Sequence, residues 1–519
     1  MKLSNIKNKR WVNIIVLSLI SLSFSCTDLD EDPELVQILP ETLSSVETLE
    51  ALVTGMYRTV QNEARWSDFY ISGFGGDDIT THSGINKLPF READWRLQTP
   101  SSARMERAYQ GSYKMIAIAN TGINAQDNII TRNEEEEELK DRFLGEAYFM
   151  RAFAYLHLTR TYGKVPIQLK VNSLEPLNLA SYEEIYELIE SDFIKAEALL
   201  PDVYPNIAVT GARPSRGAAK AFLARLYMHW AGFPIKNTSK YAMAASKAKE
   251  VIDGNYGYEL SNSIRNMWTV AGRFSHNEGI YLMVACSEIC GIGNRTTGRL
   301  GLPKTAGGWS EIFGEIAFYE DMETAAIAEG TMTRFNDSYI SEVIPRGNKP
   351  LGSDWRNFSD EAHPILRKVA GGDMSEKEVV NSTNTNINRY FMRYADVLLT
   401  YAEAAGRSGN ITSNAWEALN KVRRRAAGLD PNTPNASIDL TSGNLAELAY
   451  IERKWELAGE FERWHDLVRM DRIADAFANR STDELVDINN PGKSPTAGPN
   501  AYYTPIPQTE LDRAPQLAN

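Results

Sequence analysis

The feature that most constrains this fold is residues 141–167, DRFLGEAYFMRAFAYLHLTRTYGKVPI. Phe143, Ala147, Met150, Ala154 and Leu158 recur at helical spacing, and Leu144, Tyr148 and Tyr155 widen the same face. A helix that is apolar over so much of its circumference has to be buried among other helices. Gly163 after Tyr162, then Pro166, supplies the stop. The acidic run Glu134 to Glu138 precedes this stretch. At the start of a helix such charges complement the positive end of the dipole and need no ligand to explain them.

Comparable helices recur along the chain. Residues 41–64 read as a first helix, with Val46, Leu49, Val53, Met56 and Val60 on one face, and 105–130 as a second. Then come pairs of a long apolar helix, a connector and an amphipathic helix: 141–162 with 182–200, 214–231 with 238–253, 390–407 with 413–427, and 444–459 with 461–478. The expected fold class is therefore mainly α: a tetratricopeptide-like scaffold of about four helix–turn–helix units, with an ordinary helical bundle as the other reading. Residues 65–104 show no helical period and read as a long loop. Residues 256–388 are rich in Gly, Asn, Ser and Thr, with a strand-like run GIYLMVA at 279–285. A structureless loop of that length is improbable, so it reads as a folded, loop-rich insert and a natural ligand face. One domain is expected, ordered as an N-terminal helical region (41–255), the insert (256–388) and a C-terminal helical region (389–519).

Residues 1–25 read as a targeting signal. Lys2, Lys7, Lys9 and Arg10 precede an apolar run at 11–24 that is too short to span a bilayer comfortably. Ser25 then precedes Cys26, as in a bacterial lipoprotein signal in which the cysteine is acylated; Leu22 one place early and the bulky Phe24 depart from the usual box. An ordinary secretory signal is the other reading. The acidic stretch after Cys26, within 26–40, reads as a solvated tether. Its Asp28, Asp30 and Asp32 fail as a calcium loop, because Pro33 stands where the turn glycine belongs. The net charge is −13, and four units more negative without the basic leader. That disfavours nucleic acid and anionic lipid as partners.

Chemistry-bearing motifs are missing. GKS at 492–494 follows Asp487 where a phosphate-binding loop needs glycine, and neither His-Glu-x-x-His nor Gly-x-Ser-x-Gly occurs. The six histidines are scattered. Adjacent residues rarely flank one glycosidic bond, so Asp77 and Asp78 read as braces for the loop after Gly75-Gly76. Cys286 and Cys290 read as free thiols or a local disulfide, since a zinc site needs two more ligands. No enzyme, metal or cofactor is expected.

The tryptophans say more. Trp230, Trp268, Trp416, Trp455 and Trp464 fall in helical patterns and read as core. Trp66, Trp95, Trp309 and Trp355 lie in loop-like surroundings among Gly, Ser, Asp and Arg residues. An aromatic face exposed in a loop calls for a partner. Flat rings suit sugars, whose C–H faces stack on them while hydroxyls bond nearby polar groups. The plain alternative for each is an anchor that holds the insert to the helices.

The order of the segments then matters. GEAYFMRAFAYLHLTRTYGKVPI, RPSRGAAKAFLARLYMHWAG at 213–232, RYFMRYADVLLTYAEAAGRSG at 389–409, IERKWELAGEFERWHDLVR at 451–469 and YYTPIPQTEL at 502–511 follow one another. In this the chain resembles the SusD/RagB family of Bacteroidetes outer-membrane lipoproteins over nearly its full length. Ala514-Pro515 departs from the family's usual Asn-Pro. The resemblance implies a non-catalytic, surface-exposed glycan-binding lipoprotein that delivers oligosaccharide to a SusC-like TonB-dependent transporter. A peptide-capturing relative on the same scaffold is the alternative. It also implies that Arg393, Tyr394 and Glu403 are scaffold. Family ligand sites vary, so the four tryptophans rest on the sorting above.

Overall fold

The computed structural model describes residues 40–65, 69–81, 87–171, 176–205, 207, 209–287, 291, 293–344, 351–358, 362–374, 384–481 and 502–518. The leader, Cys26, Trp66 and Cys290 lie outside the described residues.

The central helix is Glu134–Tyr162. It begins at the acidic run. Asn133 caps it by accepting the Glu136 amide, so side chain and charge both answer the unsatisfied first turn. From Phe143 to Tyr162 it is buried nearly all round, leaving only Arg160 half-buried. Helices Ala103–Asn124 and Tyr182–Leu199 flank it. Arg151 ties the three together: it grips Asp192 with two bonds of 2.7 and 2.8 Å and reaches Asn120 Oδ1 at 2.8 Å. Tyr182–Leu199 opens on a full capping box between Ser181 and Glu184.

The array continues through Arg216–Ala231 and Lys240–Asp253. After the insert, Tyr394–Ser408 packs on Lys240–Asp253, and Ser413–Ala426 and Leu445–Glu456 pack on it in turn. Helices from both ends of the sequence thus form a single helical scaffold, mainly α as expected.

Three local readings need correction. The stretch read as loop at 65–104 holds a helix, Leu88–Asp94, with a proline in its first turn where no amide is missed. Residues 390–393, expected at the start of the helix read at 390–407, instead belong to strand β4 (Arg389–Arg393), antiparallel to β2 (Gly279–Met283). Both strands are buried along their whole length, so the apolar run carries no alternation to mark it. The last helix, read at 461–478, breaks at Asp471 (φ 56°) into Arg463–Met470 and Ile473–Ala478. The insert also contains helices Ile316–Glu329 and Met332–Ser338.

Buried ion pairs fix the C-terminal helices. Arg393 meets Glu278 at 2.8 Å, Glu456 at 2.7 Å and Glu460 at 2.7 Å, and Lys368 meets Glu460 at 2.6 Å. Burial opposes ionisation of Glu456, but Arg425, Arg393, Arg334 and Lys368 overcome it and hold the carboxyl at about 2. Glu403 is gripped by Arg469 and Arg407, each at 2.7 Å. Arg393 and Glu403 are therefore scaffold. Such pairs specify one arrangement more than they add net stability, since desolvation offsets much of their attraction.

Candidate ligand-binding site

Two segments far apart in sequence meet at a small sheet. Strand β1 (Ile79–Thr80) pairs antiparallel with β3 (Phe313–Gly314). The pairing sets the segment that ends at Trp95 beside the loop that carries Trp309. A buried bridge closes the junction, with Lys87 Nζ 2.8 Å from Glu311 Oε1.

Trp95 caps the short helix Leu88–Asp94. Its neighbour Asp94 is wholly buried and holds Arg480 with bonds of 2.9 and 3.1 Å. Its other neighbour, Arg96, is left-handed (φ 56°), stacks its guanidinium 4.2 Å from the Trp464 ring centre and donates to the Tyr502 carbonyl at 3.0 Å. Burial lowers the Arg96 pKa to about 9, against the pull of Asp94. The half-buried indole lies between these two anchors, with Arg91 5.1 Å from its centre.

Trp309 is built into a tight loop. Its amide donates to the Arg299 carbonyl at 2.6 Å, Ser310 to Leu302 at 3.0 Å, Glu311 to Leu300 at 2.8 Å, and Gly308 to Pro303 at 3.0 Å. Gly308 has to be glycine here, because a Cβ would lie 1.9 Å from the Leu302 carbonyl oxygen. Ser310 is fully buried and left-handed (φ 54°), and its hydroxyl accepts the Lys304 amide at 3.1 Å. Trp309 itself is half-buried against the main core. Both indoles are thus followed directly by a non-glycine residue in a costly conformation. Such strain persists only where surrounding contacts impose it, and it concentrates at ligand clamps.

Trp355 differs from them. It is 6% exposed within a second core cluster, edge-on to Tyr319 at 5.6 Å and covered by Arg356 at 4.3 Å. The expectation of an open face fails for it, because its charged sequence neighbour folds over the ring. Trp66 lies outside the described residues; the helix before it, Val46–Arg65, touches the insert where Thr296 Oγ1 donates to the Ala64 carbonyl at 3.5 Å.

The acidic pair directly before β1 ties it to the C-terminal helices. Asp77 takes Arg463 with bonds of 2.6 and 2.9 Å, and Asp78 Oδ2 accepts the Gly459 amide at 2.9 Å. Burial and the nearby Asp77 raise Asp78 to about 6, although the Gly459 amide opposes this. His157, buried in the central helix, is pulled down to about 3 by burial and by Arg160. Cys286 is disulfide-bonded. Among the described residues no group of three or more His, Cys, Asp or Glu side chains is placed to hold a metal ion. No helix among them is long and apolar enough to cross a membrane.

The sequence model of the SusD family matches residues 327–519. A second model, described as starch-binding and associating with the outer membrane, matches residues 28–228. The chain belongs to the SusD family. A SusD-like protein of Formosa agariphila, P2, is 26% identical, with 97% of each chain covered. A SusD homologue from Bacteroides thetaiotaomicron of known structure superposes with a TM-score of 0.73 at 22% identity, covering 92% of this chain and 97% of that one. A laminarin-binding SusD-like protein superposes with a TM-score of 0.68 at 22% identity, covering 90% and 97%. These matches establish the SusD fold. The clamps around the two indoles were not legible in the sequence. Nothing marks Arg96 or Ser310 as left-handed, and Lys87 gives no hint of Glu311 as its partner.

Proposed function

We propose that this SusD-family chain captures oligosaccharide at the cell surface. Trp309 offers a stacking face, Trp95 a second one with Arg91 on the ring's other side, and Trp66 is a further candidate from the sequence alone. Trp355 serves as an anchor and not as a contact. Cys26 carries the lipid that holds the protein to the outer membrane, and a SusC-like TonB-dependent transporter receives the captured chain. The supporting observation is the pair of indoles on two adjoining segments, each fixed by a buried bridge or loop lattice and by a left-handed neighbour. Preformed aromatic surfaces bind without a large ordering cost. The laminarin-binding relative lends the reading its ligand class. Asp77 and Asp78 take no part in any turnover, since both are buried and engaged with Arg463 and Gly459.

The test is affinity electrophoresis of soluble residues 27–519 through gels containing plant, host and microbial polysaccharides. Retardation by at least one of them is expected, with no release of reducing ends. If none retards the protein while a peptide library does, glycan capture is wrong.

A further inference from the structure

Away from the tryptophan loops lies a groove of 820 Å³, shared between the segment around residues 258–266, the start of helix Tyr394–Ser408 and the loop after Ser413–Ala426. It has no lining residue in common with the segments around Trp95 or Trp309. We propose that this groove is a second binding site, for an uncharged oligosaccharide segment. The proposal rests on the glycan-capture reading and adds a second contact to it.

One wall is aromatic. Tyr258 and Tyr394 have ring centres 6.3 Å apart and planes tilted by 31°. Both are fixed: the Tyr258 hydroxyl pairs with Ser215 Oγ at 2.6 Å, and the Tyr394 amide donates to the Glu278 carbonyl at 2.8 Å. The other walls are amides and hydroxyls. The charged groups there are already engaged. Lys421 donates to Asn432 Oδ1 at 3.0 Å, Glu259 accepts from Asn277 at 3.4 Å, and Asp430 accepts the Asn432 amide at 3.0 Å and the Thr433 hydroxyl at 2.7 Å.

The side-chain amides of Asn262 and Asn266 are left over, and so is the hydroxyl of Tyr394, a residue expected to be scaffold alone, which packs in the main core and also lines the groove. None of them makes a hydrogen bond among the described residues. An amide carries a donor and an acceptor side by side, as neighbouring sugar hydroxyls do. A peptide is a poorer fit. Among the described residues no strand lines the groove to extend it by β-augmentation, and its apolar groups (Leu260, Leu429, Pro431) are scattered among polar ones. Two separated sites on one rigid scaffold would hold a polymer more tightly than a short oligosaccharide, because the second contact becomes intramolecular.

Four proteins run through the same gels decide it: wild type, Trp95→Ala/Trp309→Ala, Asn262→Ala/Asn266→Ala, and the combination. Thermal melts serve as a fold control. On the polysaccharide that retards wild type, the tryptophan variant should bind about tenfold more weakly but keep residual retardation. The combined variant should run as in a blank gel. Retardation lost only in the asparagine variants would support the groove and overturn the tryptophan reading. Retardation lost entirely with the tryptophans, and unchanged in the asparagine variant, overturns the groove and leaves glycan capture standing. A wild type that no polysaccharide retards overturns both.

Discussion

Asp78 is a carboxyl kept where a carboxylate is disfavoured. It is fully buried, one oxygen accepts the Gly459 amide, and the other has no hydrogen-bond partner among the described residues. Burial and Asp77 raise its pKa from 3.8 to about 6. Between those values the folded protein holds a proton that the unfolded chain has released, so this residue's contribution to stability falls as pH rises from about 4 to about 6. Asp78→Asn removes the titration and keeps an acceptor for Gly459. Urea unfolding at several pH values should find the variant increasingly stabilised relative to wild type above pH 4, by up to about 3 kcal/mol beyond pH 6. Glu456, lowered to about 2 by its arginines, has the opposite sign: its stabilisation is complete above 4.5 and is lost as pH falls toward 2. The Asp78 effect must therefore be read as a difference between two proteins. A difference that stays flat from pH 4 to 8 would mean that Asp78 ionises normally.

At the scale of elements, the loop Arg299–Ile312 holds Trp309 by backbone bonds more than by side-chain packing. Gly308→Ala would force a Cβ against the Leu302 carbonyl, 1.9 Å away. The loop has to open, and glycan retardation should weaken by about tenfold while the melting temperature, set by the helices, moves by only a few degrees. A large fall in melting temperature with full binding would place the loop in the core and away from the ligand. Elements of this sort are where sequence reading fails. Helix Glu134–Tyr162 was legible because its apolar period, acidic start and Gly163 stop all agree. Strand β4 was not, since Arg389–Arg393 runs unbroken into Tyr394–Ser408 and only its distant partner β2 decides between strand and helix. Trp309 and Trp355 have similar sequence surroundings. What separates them is Tyr319 and Arg356 closing over one ring, a tertiary fact with no local signature.

At the scale of the molecule, one helical scaffold carries an insert whose strands return to it. β2 pairs with β4 directly before Tyr394–Ser408, and β1 with β3 directly before Ile316–Glu329. Arg393 and its three glutamates lie where β2 and β4 meet the C-terminal helices. The helical scaffold and the scaffold role of Arg393 and Glu403 could be read from the sequence. How the insert joins the rest could not, because it depends on partners such as Lys87 and Glu311 that no short-range pattern connects. The central claim is that the segments carrying Trp95 and Trp309 hold indoles ready for sugar. The most direct measurement is isothermal titration of wild type, Trp309→Phe and Trp309→Ala with oligosaccharides cut from a retarding polysaccharide. A stacking face predicts partial binding with Phe and about a tenfold or greater loss with Ala, at unchanged melting temperature. Equal affinity in all three proteins would contradict the account and return Trp309 to the role of a loop anchor.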